Sequence, residues 1–324
     1  VSRARSTAAA GVVLLAALVG GCGDEVGSRA SSEPPGAPTT TQTTTQASTP
    51  PGRPTAVPAA AGEVTTVVPV TVLDDGGGAE LCLGGVLDSY PPQCGGPRLV
   101  AWDWADHDGQ YDTSGDVRWG DFVVTGTFDG TSVTPSEVRA AAEVDDLPIP
   151  EDDDEFATPC AEPAGGWQPT DPAKVSMDDF NTAMTTAEQL DGYAATWVDQ
   201  SINPVYGHVD TSSLADMGKL NDPALEVLNV TVTHDADAAE RQLRAVYGGP
   251  LCVTVAAHSA RELQSVAGDM EGLPGVLSYG PGIEQVEVSV TYDDGSYQAW
   301  ADAAYGAGVV LVSSALVDVT DQER

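Results

Sequence analysis

The chain has 324 residues, with 13 Lys and Arg against 49 Asp and Glu, for a formal net charge of −36. A surface of that sign repels phosphate backbones and anionic lipid, which argues against nucleic acid as a partner and against membrane attachment through a basic patch. With 41% hydrophobic residues the chain can still bury the core of one or two domains.

Arg3 and Arg5 precede an apolar run from Ala8 to Val19. The run has signal-peptide length and falls short of the roughly 20 apolar residues a membrane span needs. It ends in Val19-Gly20-Gly21-Cys22, which resembles the bacterial lipobox: an aliphatic residue three places before a cysteine, with small residues between. That resemblance implies diacylation of Cys22. Residues 1–22 are therefore expected to be a lipoprotein signal, and the mature protein to sit on the extracytoplasmic face of the cell membrane, partnered to it through lipid. A lipoprotein N-terminus carries two or three acyl chains, enough for firm anchoring.

Residues 23–63 are rich in Ser, Thr and Pro, have almost no large apolar side chains, and cannot bury enough surface to fold. About 35 such residues form a tether reaching from roughly 35 Å as a coil to roughly 110 Å as polyproline.

Residues 64–142 read as a small all-β domain. Val64–Leu73, Arg98–Trp104 and Trp119–Phe128 alternate β-branched or aromatic residues with polar ones, and Asp129-Gly130 signals a hairpin. Several short strands of this kind suggest a small barrel, OB-like in the favoured version; such a fold would not by itself imply oligonucleotide binding. Residues 143–175 form an acidic, Pro-rich connector. Residues 176–221 form a helical segment, with one helix expected from Ser176, its N-cap, to Val198.

Residues 222–320 read as an α+β domain with an internal repeat. Val232-Thr233-His234-Asp235 leads through a helical stretch to Tyr247-Gly248, and Val290-Thr291-Tyr292-Asp293 leads through another to Tyr305-Gly306. Each copy reads strand, helix, glycine stop, strand. Asp237 and Glu240 suggest a capping box in the first copy, and Ser259 and Glu262 suggest another on an extra helix between the copies. Gly248 and Gly306 occupy positions suited to a left-handed residue after the helix. Two βαβ units in succession predict a ferredoxin-like sheet, in which Val310 takes the place of Cys252. The expected fold class is thus α+β: an OB-like barrel and a ferredoxin-like duplicated domain, joined by the acidic linker and a helix.

Of five cysteines, Cys22 is consumed by lipid. Cys82, Cys94, Cys160 and Cys252 remain, an even set in an oxidising compartment, for which three pairings exist. Cys82–Cys94 closes a short loop containing Gly84, Gly85, Pro91 and Pro92, and Cys160–Cys252 follows by elimination. A redox pair would want CxxC, and a zinc site would want closer ligands than His107 alone provides.

Asp106, Asp108 and Asp112 around Gly109 form an oxygen-rich stretch that calcium could favour, although the full EF-hand pattern is absent; the plainer alternative is a solvated acidic hairpin. Trp102 and Trp104, two apart on an expected strand, would share one face and either stack on wall sugars or fill the core. His107, His208, His234 and His258 are scattered, and His234 has Tyr292 as its repeat equivalent. There is no GxSxG, Ser-x-x-Lys, HExxH, Walker loop or dinucleotide fingerprint, so no catalytic residue and no cofactor is assigned. These features point to a non-enzymatic cell-envelope lipoprotein acting as an interaction or structural module, with an extracytoplasmic ligand-, glycan- or calcium-binding protein as the alternative.

The pieces "LCLGGVLDSYPPQCGGP", "TPCAEPAGGW", "GGPLCV" and "TYDDGSYQAWADAAYGAG" resemble those of a group of uncharacterised secreted or lipid-anchored actinobacterial proteins, over most of the chain after the tether. The resemblance implies an extracytoplasmic location and two disulfides. It implies no activity, cofactor or catalytic residue.

Overall fold

The longest strand organises the N-terminal half. A computed structural model describes residues 51–144, 156–208, 213 and 218–321. The expected signal segment with Cys22, the tether up to residue 50 and the acidic centre of the connector lie outside the described residues. Strand β6 (Val117–Phe128) alternates buried residues such as Phe122, Val124 and Phe128 with more accessible ones. Its two ends pair with different strands. β1 (Glu63–Thr66) lies along one end, and β2 (Val70–Asp74) lies along the other. The single strand expected from Val64 to Leu73 is therefore two. Pro69 lacks the N–H a ladder needs and interrupts them.

β2 continues through β3 (Glu80–Leu81) and β4 (Arg98–Leu99) to β7 (Ser132–Ala140), and β7 pairs back onto β6. The sheet thus closes partly into a ring, in which β4–β7 is parallel and the other contacts are antiparallel. β5 (Asp112–Ser114) flanks β6. Val72, Leu81, Leu99, Trp104, Phe122 and Val133 fill the ring. Asp129-Gly130 turns β6 into β7. Gly130 has φ 96°, and the Asp129 carboxylate accepts from the backbone N–H of Thr131 and Ser132. The strand expected from Arg98 to Trp104 stops at Leu99. Ala101 takes a positive φ of 57°, and Trp104–His107 is a 3-10 turn capped by Asp103.

α1 (Met177–Ala187) starts with a capping box between Ser176 and Asp179. It ends eleven residues short of the expected Val198, because Gly192 (φ 70°) turns the chain and the next residues form β8 (Tyr193–Asp199). Then follow β9 (Val227–Val232), α2 (Ala236–Val246), β10 (Leu251–Val255), α3 (Ala260–Asp269), β11 (Val276–Pro281), β12 (Val286–Val290), α4 (Ser296–Tyr305), β13 (Val310–Ser314) and β14 (Leu316–Asp318).

β9 and β12, the first strands of the two expected βαβ copies, lie in different sheets: β10-β9-β8 and β11-β12-β13. A single ferredoxin-like sheet does not form. The repeat is longer than expected and runs α-β-β-α-β in each copy, α1-β8-β9-α2-β10 and α3-β11-β12-α4-β13. The capping box Ser176/Asp179 corresponds to Ser259/Glu262. Gly192 and Gly275 both have positive φ, and their carbonyls accept from the equivalent Thr233 and Thr291 N–H, each at 2.8 Å. In both sheets the first pair is antiparallel and the second parallel. α1 and α2 cover one face of the first sheet through Phe180, Ala183 and Leu243, and α3 and α4 cover the second through Leu263, Ala267 and Trp300.

The copies also differ in register. Cys252 lies opposite Asn229, and Leu311 lies opposite Glu287, the repeat equivalent of Asn229. Leu311, not Val310, therefore holds the place of Cys252, and Val310 points into the core. α2 stops at Val246 and leaves Tyr247 extended, whereas Tyr305 is the last helical residue of α4. A one-residue displacement turns each side chain of the following strand to the other face. The expected Asp237/Glu240 capping box does not form either: the N-cap is Asp235 at φ 55°, with no side-chain cap.

The described residues fall in one compact unit. β14 pairs with β1, so the strand that follows the second copy extends the ring-closed sheet, and Tyr292 and Leu316 belong to the ring's core. The end of the expected tether is docked too. Val57 and Ala60 pack on that core, Arg53 donates to the carbonyls of Asp269 and Glu271, and its guanidinium lies 5.4 Å from the Trp300 ring centre.

Gly306 has φ 101°, but Gly248 has no positive φ. A Cβ on Gly248 would instead meet the backbone of Asp171, whose N–H donates to the Gly248 carbonyl at 3.1 Å. Gly248→Val should destabilise by about 1–3 kcal/mol through overpacking, and Gly306→Val by about 1–2 kcal/mol through the left-handed backbone. Urea unfolding of both variants checks the two values.

Candidate functional site

Cys82 is bonded to Cys94, and Cys160 to Cys252. The first bond closes a surface loop whose tip carries the exposed Leu87 and Tyr90. The second holds a strap, Phe156–Gln168, against the β10-β9-β8 sheet on the face away from the helices. The registers place Cys252, Asn229 and Trp197 in one row of that face, and Thr254, Thr231 and Ala195 in the next.

Two hydrogen bonds reinforce the strap. Thr158 N–H donates to Asp199 Oδ2 at 2.8 Å, and Trp197 Nε1–H donates to the Phe156 carbonyl at 3.2 Å. Burial pushes the Asp199 carboxyl up, but hydrogen bonds from Ser201 and Thr158 outweigh it and leave its pKa lowered. Asp199 is thus held as a carboxylate that organises the strap.

A cleft opens on each side of this strap. One, of about 910 Å³, is lined by Cys160, Trp167, Asp199, Ile202, Tyr206 and Leu225. The other, of about 600 Å³, lies between the first sheet and the turn of the β11–β12 hairpin, so both repeats contribute to it. Thr158, Trp197, Thr231 and Val255 line one side, and Ile283, Glu284, Gln285 and Glu287 the other. Three polar atoms in and beside this second cleft are buried without a hydrogen-bond partner: Thr158 Oγ1, Thr231 Oγ1 and Asn229 Oδ1. Thr231 is 6% exposed and Asn229 is fully buried.

The residues singled out in the sequence fall elsewhere. Trp104 is buried and donates to Asp74 Oδ2, and Trp102 is half-buried, stacked on His107 at 4.3 Å and edge-on to Phe122. They pack on the ring's core. Asp106, Asp108 and Asp112 are exposed. They are spread over a 3-10 turn, its exit and β5, and among the described residues no three His, Cys, Asp or Glu side chains are placed to hold a metal. His234 sits on the surface beside Asp191 at 3.2 Å, while its repeat equivalent Tyr292 is buried and donates to Asp318 of β14. Burial, with Asp318 second, pushes the Tyr292 hydroxyl up to about 12. This position is a joint between sheets in one copy and an exposed corner in the other.

Trp197, Asn229 and Thr231 were not singled out from the sequence. In "VLNVTV" the polar Asn229 and Thr231 alternate with core-facing Leu228, Val230 and Val232, the mark of a strand with two used faces. Trp197 was hidden because its segment reads as the end of a helix.

Glu226, at the start of β9, is 3% exposed and accepts from Gln200 Nε2 at 3.1 Å. Desolvation, helped by Asp222, raises its pKa above 4.5. A raised carboxyl contributes stability that is complete below the unfolded pKa and is lost as pH rises through the folded one. Glu226→Gln should therefore raise the Tm at pH 7 and leave it little changed at pH 4. Asp199 carries the opposite sign: its contribution is present above 3.8 and is lost as pH falls through its lowered folded pKa. Asp199→Asn should lower the Tm at pH 7, with the gap to wild type closing in strong acid. Thermal unfolding followed by circular dichroism across this range checks both.

No protein-family model matches the chain, and no curated protein matches it.

Proposed function

We propose that this protein is a non-enzymatic lipoprotein of the cell envelope, held outside the cytoplasmic membrane by acylated Cys22, and that it works there as a binding module. One observation carries the binding role: a strap fixed by Cys160–Cys252 leaves a cleft between the two repeats, with buried hydroxyls that no protein group satisfies. Ligand sites favour such junctions, where a few polar groups converge on a mostly apolar wall. The groups lining the cleft are hydroxyls, an indole, an amide and rim carboxylates, which suit recognition rather than bond making.

Within this proposal the ring-closed sheet is a small OB-like barrel serving as scaffold. Five ring strands, one parallel contact and a short helical turn between β4 and β6 support that assignment. The anchor rests on the lipobox resemblance at Val19–Cys22, and the docking of Arg53 supports a tether that ends against the folded unit.

Cys22→Ala should move the protein from the membrane fraction to the medium or leave unprocessed precursor. Unchanged membrane association with an acyl-free N-terminus overturns the anchor. Purified protein should also be retained by isolated cell envelopes, and loss of that retention in Cys160→Ser/Cys252→Ser ties it to the strap. Wild-type protein that fails to bind envelopes overturns the binding role.

A further inference from the structure

We infer that the cleft between the repeats takes an uncharged saccharide, stacked on Trp197 and hydrogen-bonded by Thr231 and Thr158. This assignment deepens the binding-module proposal above and rests on it.

The wall chemistry selects the ligand. Trp197 presents an aromatic surface whose orientation is fixed by its Nε1–H bond to the Phe156 carbonyl at 3.2 Å, and Val255 and Ile283 add aliphatic surface around it. A pyranose has an apolar C–H face that packs on such a ring. Thr231 Oγ1 and Thr158 Oγ1 are buried and unpartnered, and Asn229 Oδ1 lies in the neighbouring row of the same sheet face. A buried polar atom without a partner costs free energy, which a ligand able to both donate and accept recovers. Hydroxyls do both.

Charge excludes the competitors. Glu284 and Glu287 stand on the hairpin side, and the chain as a whole carries −36, so phosphates, carboxylates and uronic acids are repelled. Glu284 and Glu287 are exposed, whereas the polar atoms buried in the wall are neutral. A cation would need a desolvated counter-charge to replace its lost hydration, and the buried part of the wall supplies none. A volume of about 600 Å³ is that of a small-ligand site. The disulfide and the Asp199–Thr158 bond hold the strap in place beforehand, so little ordering is lost on binding.

The test uses the full chain purified in detergent, with indole fluorescence and calorimetry against neutral gluco-, galacto-, manno- and arabino-oligosaccharides. Oligogalacturonate serves as the anionic probe and spermidine as the cationic one. At least one neutral oligosaccharide should bind. Trp197→Ala should weaken that binding by about tenfold or more, and Thr231→Val, nearly isosteric, by about tenfold. Circular dichroism and Tm separate a lost contact from a lost fold, and Thr231→Val keeps the test open should Trp197→Ala unfold. Binding of no neutral oligosaccharide, equal binding by Trp197→Ala and wild type, or preferential binding of oligogalacturonate or spermidine overturns the assignment. Retention on isolated envelopes without saccharide binding removes the saccharide and leaves the binding module standing. Loss of envelope retention with saccharide binding intact removes the envelope as the partner and leaves the saccharide site standing.

Discussion

Cys160 and Cys252 lie 92 residues apart and are joined across the open face of the first three-stranded sheet. In the chain-entropy account a loop of that length is worth about 4–5 kcal/mol. The bond also has a local effect that the entropy account omits. It fixes a Pro- and Gly-rich strap, which has little secondary structure of its own, against a row of side chains that includes Asn229 and Trp197. Asp199 and Trp197 then need only one hydrogen bond each to set the strap's path. Both clefts exist because the strap crosses the sheet at this line and not elsewhere.

The second copy shows what that face is without a strap. Its equivalent surface carries Glu287, Ser289 and Leu311, and Leu311 is 49% exposed. The two copies share five elements in the same order, the capping box of the first helix and the positive-φ glycine that follows it. Two of their differences shape the open face. Gln200–Glu226 joins β8 to β9, where only Gly282–Gln285 joins β11 to β12. The closing strand is also displaced by one residue. That displacement puts a cysteine on the strap side in one copy and a solvent-facing leucine in the other, so a duplicated scaffold carries an asymmetric site.

Local structure is legible in the sequence where one short stretch contains the whole physical cause. Asp129-Gly130 needs only its own turn geometry, and Ser176 and Ser259 need only the first turn of their helices. Cys82 and Cys94 are close in sequence, and parity left Cys160 with Cys252. Reading failed where the cause lay outside the stretch. Tyr193–Val198 has no breaker before it except Gly192, and the neighbour that makes it a strand, β9, comes after a long insertion. That insertion also conceals the full repeat, because the spacing between the copies is constant on each side of it but changes across it. Trp102 and Trp104 lie beyond the end of a two-residue strand, and their burial depends on Phe122 and Val72 from other strands. The cleft was invisible for the same reason: Trp197, Thr231 and Glu287 come from three segments that meet only in the fold.

The pairing of β14 with β1 also sets how the folded unit responds to mechanical load. β1 lies between β6 and β14, antiparallel to both, within a few residues of the docked Val57 and Ala60. Tension arriving from the N-terminal side first meets the Arg53 clamp on Asp269, Glu271 and Trp300, and then runs along the axis of β1. A strand pulled along its axis must break its ladders to both neighbours together, in shear, instead of opening one bond at a time. The last strand among the described residues therefore acts as a latch on the first, and the sheet that packs the ring is also the part best placed to resist load from the N-terminal side.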